Sequence, residues 1–522
     1  MKKRDNKLRH RQKAHNYWIP ALFLIIAVSI VFSFILYSGP QPAYDDTVYM
    51  AFALRILHGT FNPVVSPFAY GYIIPATVAA SFYLFGTGLI QAIIPEVMEF
   101  ALLIAVVFFI ARTYSSNAES LIASLMIGIS PFVMGYVTRV LPDMLLGLLA
   151  AVSILFLLRG LKSGKTWMLL VAGLFAGATI FIKFEALMYM LFFIIGSSML
   201  VAFSNYAVKK PRQKTKSGHR IGKRPVYVAA LLIGLIISVM LYFVPFMLIS
   251  GHVLYPIAML DNYGNYLTIS DLSMNVGTLI SMSTPSFDVY ANAIYYDFFI
   301  GSIIYFAIIG TAIAMSKKDS TRLFESILCW GIYLSMFFFT ASLSKYEVFA
   351  VTTRFMILIA APMALLAAYA ILEIYKYLKR HISTRFSIAI TAIIVIAVSL
   401  LNVPSYIIIG NGNYSNLQFN EAFYSMMAKV ATTGNKNLLV SSNTWIVANM
   451  ADKFLKILGA ARGINVYMYN KSTCNIPKST ILVLNSQGAP AENLSIYGGC
   501  NAPKFIGYVP NATIPGKIYE EN

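Results

Sequence analysis

Charge is scarce in this chain of 522 residues: Asp, Glu, Lys and Arg together make up 12% of it, about half the share of a soluble globular protein. Acid is the rarer sign, 21 residues against 40 Lys and Arg, for a net charge of +19. Cysteine is nearly absent. Cys329 lies in an apolar run, Cys474 and Cys500 lie near the C-terminus, and no CxxC pair or Cys/His cluster exists. That excludes a zinc or iron–sulfur site built on thiolates. With 58% hydrophobic residues and a mean hydropathy of +0.69, too little polar surface remains to cover a water-soluble core. Runs such as 17–38 and 225–248 are long enough to cross a ~30 Å hydrocarbon layer as helices. The chain reads as a polytopic membrane protein.

The cationic excess falls in short segments between apolar runs, as a topology signal does, and not in a basic stripe interleaved with aromatics. Nucleic acid is therefore not an expected partner. The first apolar segment is too long for a signal-peptide core and no small-residue cleavage site follows it, so it is expected to be retained. The basic N-terminus, residues 1–16, is expected in the cytoplasm. A first outer loop, 39–88, then holds a short amphipathic helix over 45–58.

Residues 69–85 decide the topology. If they span, the groups Arg159/Lys162/Lys165, Lys209 to Arg224, Lys317/Lys318/Arg322 and Lys376 to Arg385 all land outside. If they lie in the interface, all land inside with Arg112. The bias of so many Lys and Arg favours the interfacial placement. Eleven spans follow, near 17–38, 89–111, 119–138, 143–160, 166–182, 184–204, 226–249, 299–316, 323–343, 354–375 and 386–409. This makes 17–410 a transmembrane domain and puts the C-terminus outside the cytoplasm, in a multi-pass protein of the cell membrane. From 411 to 522 the composition turns polar. Strands are expected at 438–440, 465–469, 480–484 and 505–509 and a helix at 444–458, a small extracytoplasmic α/β domain. Sequons at Asn413, Asn470, Asn493 and Asn511 fit an exterior location. Cys474 and Cys500 suit either a disulfide or a reduced buried pair.

The densest chemistry is Tyr44-Asp45-Asp46-Thr47-Val48-Tyr49, just after the first span. Adjacent carboxylates suit general-base work or a divalent cation, and equally suit a helix N-terminus, where they meet free N–H groups and the dipole. Asp143, opening a later helix from the same side, carries the same two readings. Arg139, Lys183 and Arg354 are outer-edge cations beside long apolar runs. Singly each suits snorkelling to headgroups; together they suit a lipid-linked phosphate. Glu96 and Glu99 lie one helical turn apart inside an expected span, where a charged acid costs roughly 2.5–3.5 kcal/mol. They either face a polar cavity or are neutral and hydrogen-bonded within the bundle. His58 and His252 are isolated and read as interfacial.

These residues resemble the membrane glycosyltransferases of the GT-C fold, in the branch of protein O-mannosyltransferases and the lipid A aminoarabinose transferase. The stretch Asp45-Asp46-Thr47-Val48-Tyr49, continuing to Arg55 and Gly59, is similar to that family's first-loop acidic pair and helix. Pro67 to Gly86 resembles its Pro-rich helix ending in Phe-Gly, Arg139 to Asp143 its Arg…Asp element, Ile182-Lys183-Phe184 its Thr-Lys turn, and Arg354-Phe355 through Pro362 its Arg-aromatic helix. The likeness covers roughly 17–204 and 350–375. Two departures stand out: Glu96 and Glu99 occur near where the family often has an Arg, and the second acid of the pair is Asp in place of Glu.

The resemblance implies an all-α GT-C-like bundle with outer juxtamembrane helices, and a polyprenyl-phosphate sugar as donor. Asp45 would be the base toward a protein, glycan or lipid acceptor. Asp46 and Asp143 would orient that acceptor or hold a cation; Lys183, Arg139 and Arg354 would stabilise the leaving phosphate, with Tyr49 and Arg55 also binding substrate. It leaves metal dependence open, a divalent cation being a candidate cofactor. Two other readings fit the sequence: a transporter or lipid flippase with Glu96, Glu99 and Lys183 on its path, and a membrane scaffold presenting its tail. The chain lacks the internal repeats common in transporters.

Overall fold

The computed structural model describes residues 17–36, 39–40, 45–64, 67–183, 185–203, 224–258, 268–269, 276, 279–280, 282–283, 300–338, 348–349, 351, 353–403, 405–407 and five strands between 437 and 520. Helices dominate: α1 (Trp18–Ile35), α2 (Asp45–Leu57), α3 (Ile73–Phe85), α4 (Leu89–Tyr114), α5 (Asn117–Gly128), α6 (Pro131–Met134), α7 (Asp143–Ser163), α8 (Thr166–Ala178), α9 (Ala186–Phe203), α10 (Arg224–Ser250), α11 (Ile303–Lys317), α12 (Ser320–Phe338), α13 (Ala360–His381) and α14 (Thr384–Leu401). Short 3-10 turns occupy Pro67–Ala69, Thr179–Phe181 and Thr353–Ile359.

Helix ends follow local chemistry. Ser116 caps α5 by accepting the Glu119 N–H, Ser383 does the same for α14 through Phe386, and Gly164 closes α7 in the left-handed region at φ +68°. Among the described residues, seven segments are long and apolar enough to cross a membrane: Trp18–Ile35, Leu89–Tyr114, Asp143–Ser163, Ala186–Phe203, Arg224–Ser250, Thr353–His381 and Thr384–Ile407. Four of the eleven expected spans fall short of that standard. Three are short: α8, α11, and α5, where the helix expected over 119–138 stops at Gly128 and restarts at Pro131. The fourth, α12, carries Arg322 and Glu325 in its first two turns. Helix α3 has 13 residues, roughly 20 Å of rise, short of the ~30 Å hydrocarbon layer.

The core is arranged around α13, which is buried along its whole apolar window, while α1, α10 and α14 lie at the periphery. Helix α13 packs against α11, α5 and α12; α4 lies between α7 and α5; α8 is clasped by α7 and α10. Helices α2 and α3 pack on each other, and α3 on α4. Pro95 lies inside α4 and can donate no hydrogen bond to the carbonyl of Gln91, which accepts the Ser81 hydroxyl of α3 at 2.5 Å instead. Close backbone approach joins α8 and α10: a Cβ on Gly173 would lie 2.0 Å from the Leu231 carbonyl oxygen, and one on Gly234 2.0 Å from that of Leu170.

Where the ends of α4, α5 and α12 meet the middle of α13, Arg322 sits between the rings of Tyr114 (4.6 Å) and Tyr369 (4.5 Å) and pairs with Glu119 and with Glu325 (3.0 Å). A buried guanidinium with two carboxylates and two rings ties these helices together.

Beyond the helices, β1 (Thr268–Ile269) pairs antiparallel with β2 (Val348–Phe349). Strands β3 (Asn437–Ser441), β4 (Asn465–Met468), β5 (Ser479–Leu484), β6 (Lys504–Val509) and β7 (Gly516–Glu520) form one sheet in the order β4-β3-β5-β7-β6. Strand β3 is parallel to both neighbours, with Leu438 opposite Val466 and Thr480; β7 runs antiparallel to β5 and β6, with a bulge between Phe505 and Gly507. The four expected strands are present and β7 is a fifth. The expected helix 444–458, the four sequons, Cys474, Cys500 and the N-terminal 1–16 lie outside the described residues.

Replacing Gly173 by Leu is expected to force α8 from α10 and to cost about 3 kcal/mol or more, since overpacking against backbone leaves nothing flexible to yield. Thermal unfolding in detergent measures it; an unchanged midpoint would contradict the close approach.

Candidate active site

Four separate stretches meet at one end of the bundle. Helix α2 begins with Asp45 and Asp46, the turn before α7 brings Arg139 and Asp143, the turn before α9 brings Lys183 and Glu185, and the 3-10 turn leading into α13 brings Arg354 and Phe355. Gly147, one turn into α7, permits the approach of this last segment: a Cβ there would lie 2.8 Å from the Ile357 carbonyl oxygen. Gly71 does the same where its backbone passes Ile182, next to Lys183, with a Cβ-to-oxygen distance of 2.3 Å. Tyr136 and Thr353 share a hydroxyl–hydroxyl bond of 2.9 Å that ties the pre-α7 turn to the Arg354 segment.

The two acids of the pair have different partners. The Asp46 side chain is fully buried and closed: Arg139 donates to it from Nε (3.1 Å to each oxygen) and Nη2 (2.6 Å), and the Val140 N–H donates to its Oδ1 at 2.6 Å. Burial alone would lower the Arg139 guanidinium, but the charge and hydrogen bonds of Asp46 outweigh it and hold the group above its ordinary value. Asp45 turns the other way, to Arg354 Nη1 at 2.8 Å. The two acids therefore do not grip one shared cation.

From Asp45 an alternating chain of charge continues. Arg354 Nε faces Asp143 Oδ2 at 3.9 Å, Asp143 Oδ1 faces Lys183 Nζ at 3.5 Å, and Lys183 meets Glu185 Oε1 at 3.0 Å. Neither Asp143 Oδ2 nor Arg354 Nε, both buried atoms, has a hydrogen-bond partner. Lys183 also sits 3.5 Å above the Phe355 ring, with the Arg354 guanidinium 5.5 Å from the same ring. Side-chain exposure is lowest in the middle of the chain: Asp143 is 2% exposed and forms the floor, Lys183 is 18% exposed on one side of it, and Asp45 and Arg354, each 24% exposed, form the open end on the other. Tyr49, one turn after Asp45, is buried behind them. Its phenol is pushed well above its ordinary range, by burial first and by the charge of Asp45 next, so it stays a donor.

The structure thus brings together Asp45, Asp143, Lys183 and Arg354, with Asp46, Arg139 and Tyr49 directly behind. Arg55 is not among them. It lies ten residues beyond Asp45 on α2, roughly 15 Å along the axis, exposed and 5.6 Å from the Phe52 ring. Its expected part in substrate binding has no support in the geometry. Glu185 was missed by sequence reasoning, though its spacing two residues after Lys183 across a turn was the available signal. Phe355 was noticed only as a motif neighbour. Among the described residues, no group of three or more His, Cys, Asp or Glu side chains is arranged to hold a metal ion.

Residues 67–243 match the family model described as dolichyl-phosphate-mannose-protein mannosyltransferase. That stretch contains Arg139, Asp143 and Lys183; Asp45 and Arg354 lie outside it. Among curated proteins none matches the sequence. Among solved structures, ArnT from Cupriavidus metallidurans in the apo state is similar over 97% of this chain and 98% of that one, with a TM-score of 0.59 at 11% identity. The same protein bound to undecaprenyl phosphate gives 0.57, again at 11% identity and the same coverage. The apo Archaeoglobus fulgidus oligosaccharyltransferase gives 0.50 at 12% identity, covering 88% of this chain and 65% of that one. The fold is that of the GT-C membrane enzymes. The likeness to the mannosyltransferase-like glycosyltransferases is thus carried by the family model over residues 67–243 and by the shared fold.

Because Asp46 is fully buried on Arg139, whereas Asp45 and its partner Arg354 are each 24% exposed, the two acids should separate cleanly on substitution. Asp46→Ala is expected to lower stability by about 3–5 kcal/mol, leaving Arg139 without its counter-charge, whereas Asp45→Ala should shift the unfolding midpoint little. Equal losses in a chemical-denaturation or thermal assay would refute the division.

Proposed function

We propose that this protein transfers a sugar from a polyprenyl-phosphate donor to an acceptor hydroxyl at the extracytoplasmic face. The observation that carries the reading is the ion-pair chain Asp45–Arg354–Asp143–Lys183, in which four distant segments supply a half-exposed carboxylate next to two cations. The bound undecaprenyl phosphate of the similar ArnT structure supports the donor class.

Sidedness rests on charge. In α4, α7 and α13 the segment near the site lies at the N-terminal end, and basic residues close the other: Arg112, Lys162, and Lys379 with Arg380. Basic ends belong in the cytoplasm, which supports a pocket and a C-terminal sheet on the opposite face. The same rule supports eleven crossings, with α5, α8, α11 and α12 completing the set, and a division of the chain at 17–410 and 411–522.

In the proposed reaction the bond between the sugar's anomeric carbon and the phosphate oxygen breaks, its electron pair leaving on the phosphate. The acceptor oxygen forms the new bond to carbon, and its proton passes to the Asp45 carboxylate. Negative charge grows on the phosphate in the transition state, so cations already held in place lower the barrier. Lys183 and Arg354 are so placed, with Phe355 beneath both. Asp143 orients them from the buried floor. Asp46 and Arg139 act as fasteners of the pre-α7 turn.

Arg354 has a further consequence. In the free protein it is already paired to the base, and an incoming phosphate competes with Asp45 for it. Removing the charge of Asp45 should therefore strengthen donor-phosphate binding while stopping the chemistry. Asp45→Asn is expected to cut sugar transfer on the order of 10²–10⁴-fold, the share of a general base, and to bind undecaprenyl phosphate more tightly than the wild type. Transfer from a lipid-linked donor in vesicles, together with a binding titration, measures both; full activity in Asp45→Asn would refute the assigned base.

A further inference from the structure

Helix α4 carries two carboxyl groups that the mechanism above leaves unused. Glu96 and Glu99 are both buried, and each keeps its Oε2 without a hydrogen-bond partner. Acids in an apolar helix of 26 residues are expensive, so what they touch matters. Glu96 Oε1 accepts the Leu141 N–H at 3.2 Å, and the amide before it, Val140 N–H, donates to Asp46 Oδ1 at 2.6 Å. Consecutive amides of one turn are thus held by acids from two different helices, α4 and α2. This turn presents Arg139 on one side and Asp143 on the other. Glu96 also lies within electrostatic reach of Asp143 and Asp46.

Asp46 and the Tyr136–Thr353 bond hold the turn up to Val140; Glu96 adds the anchor one residue nearer to α7, at Leu141. A buried amide deprived of its acceptor has to find another, and the turn can do so only by moving. We propose that Glu96 is a positioning residue for Asp143. By holding Leu141 it sets where α7 begins, and so where the Asp143 carboxylate meets Lys183 and Arg354. This rests on the transfer reaction proposed above for its kinetic consequence, though not for the geometry itself.

The test compares Glu96→Gln, which keeps a side-chain oxygen acceptor at nearly the same volume, with Glu96→Leu, which removes it. Hydrogen–deuterium exchange on the full-length protein in detergent, read over 138–146, should be unchanged in Glu96→Gln and about tenfold faster at Leu141 in Glu96→Leu. In the transfer assay kcat should fall about tenfold in Glu96→Leu and recover to within about threefold of wild type in Glu96→Gln. Where Glu96→Leu does not accumulate, Glu96→Ser, polar but too short to reach Leu141, takes its place. Unchanged exchange in Glu96→Leu, wild-type kcat in it, or a glutamine variant as poor as the leucine one overturns the proposal. A wild type that transfers no sugar from any polyprenyl-phosphate donor defeats the functional reading instead, and the exchange result still decides the role of Glu96.

Discussion

Arg354 stands between two carboxylates, Asp45 at 2.8 Å and Asp143 at 3.9 Å, and the site depends on that shared guanidinium. Neither acid is near the other in sequence, and Arg354 is more than two hundred residues from both. A planar fork with several donors can serve two acids at once, which a lysine ammonium does less specifically. Arg354 also leads into α13, the most buried helix of the bundle. The cation is therefore fixed to the most rigid element available, and the acids are brought to it by Gly147 and by the turn before α7.

The pocket is richer in acid than a simple phosphate cradle would be. Asp45, Asp143 and Glu185 face Arg354 and Lys183, so both cations are neutralised before any substrate arrives. Such pairing keeps long cationic side chains ordered beside an apolar environment, where unpaired charge is costly. Under the proposed function it also makes the arrival of an anionic donor an exchange of partners, which frees the Asp45 carboxylate at the moment a base is needed. Binding of donor and activation of the base are then one event.

Much of this was legible along the chain. Apolar runs located the helices because a ~30 Å layer demands them, and short apolar and β-branched runs located four of the five strands in the tail. The cations Arg139, Lys183 and Arg354 and the acids Asp45, Asp46 and Asp143 stood out because charge at the edge of an apolar run is rare. Pairing was not legible. Adjacent residues on a helix point about 100° apart, so Asp45 and Asp46 reach different arginines, and no local pattern says which. Arg55 has the right residue type but lies too far along α2. The role of Glu96 depends on where an amide forty-five residues later comes to rest, a matter of helix packing alone.

In the proposed reaction donor phosphate takes Arg354 from Asp45. An experimental structure of the protein with a polyprenyl phosphate bound tests this directly. The phosphate oxygens should lie within hydrogen-bond distance of Arg354 and Lys183, with the 2.8 Å contact between Arg354 and Asp45 opened. A phosphate bound elsewhere, with that contact intact, would contradict it.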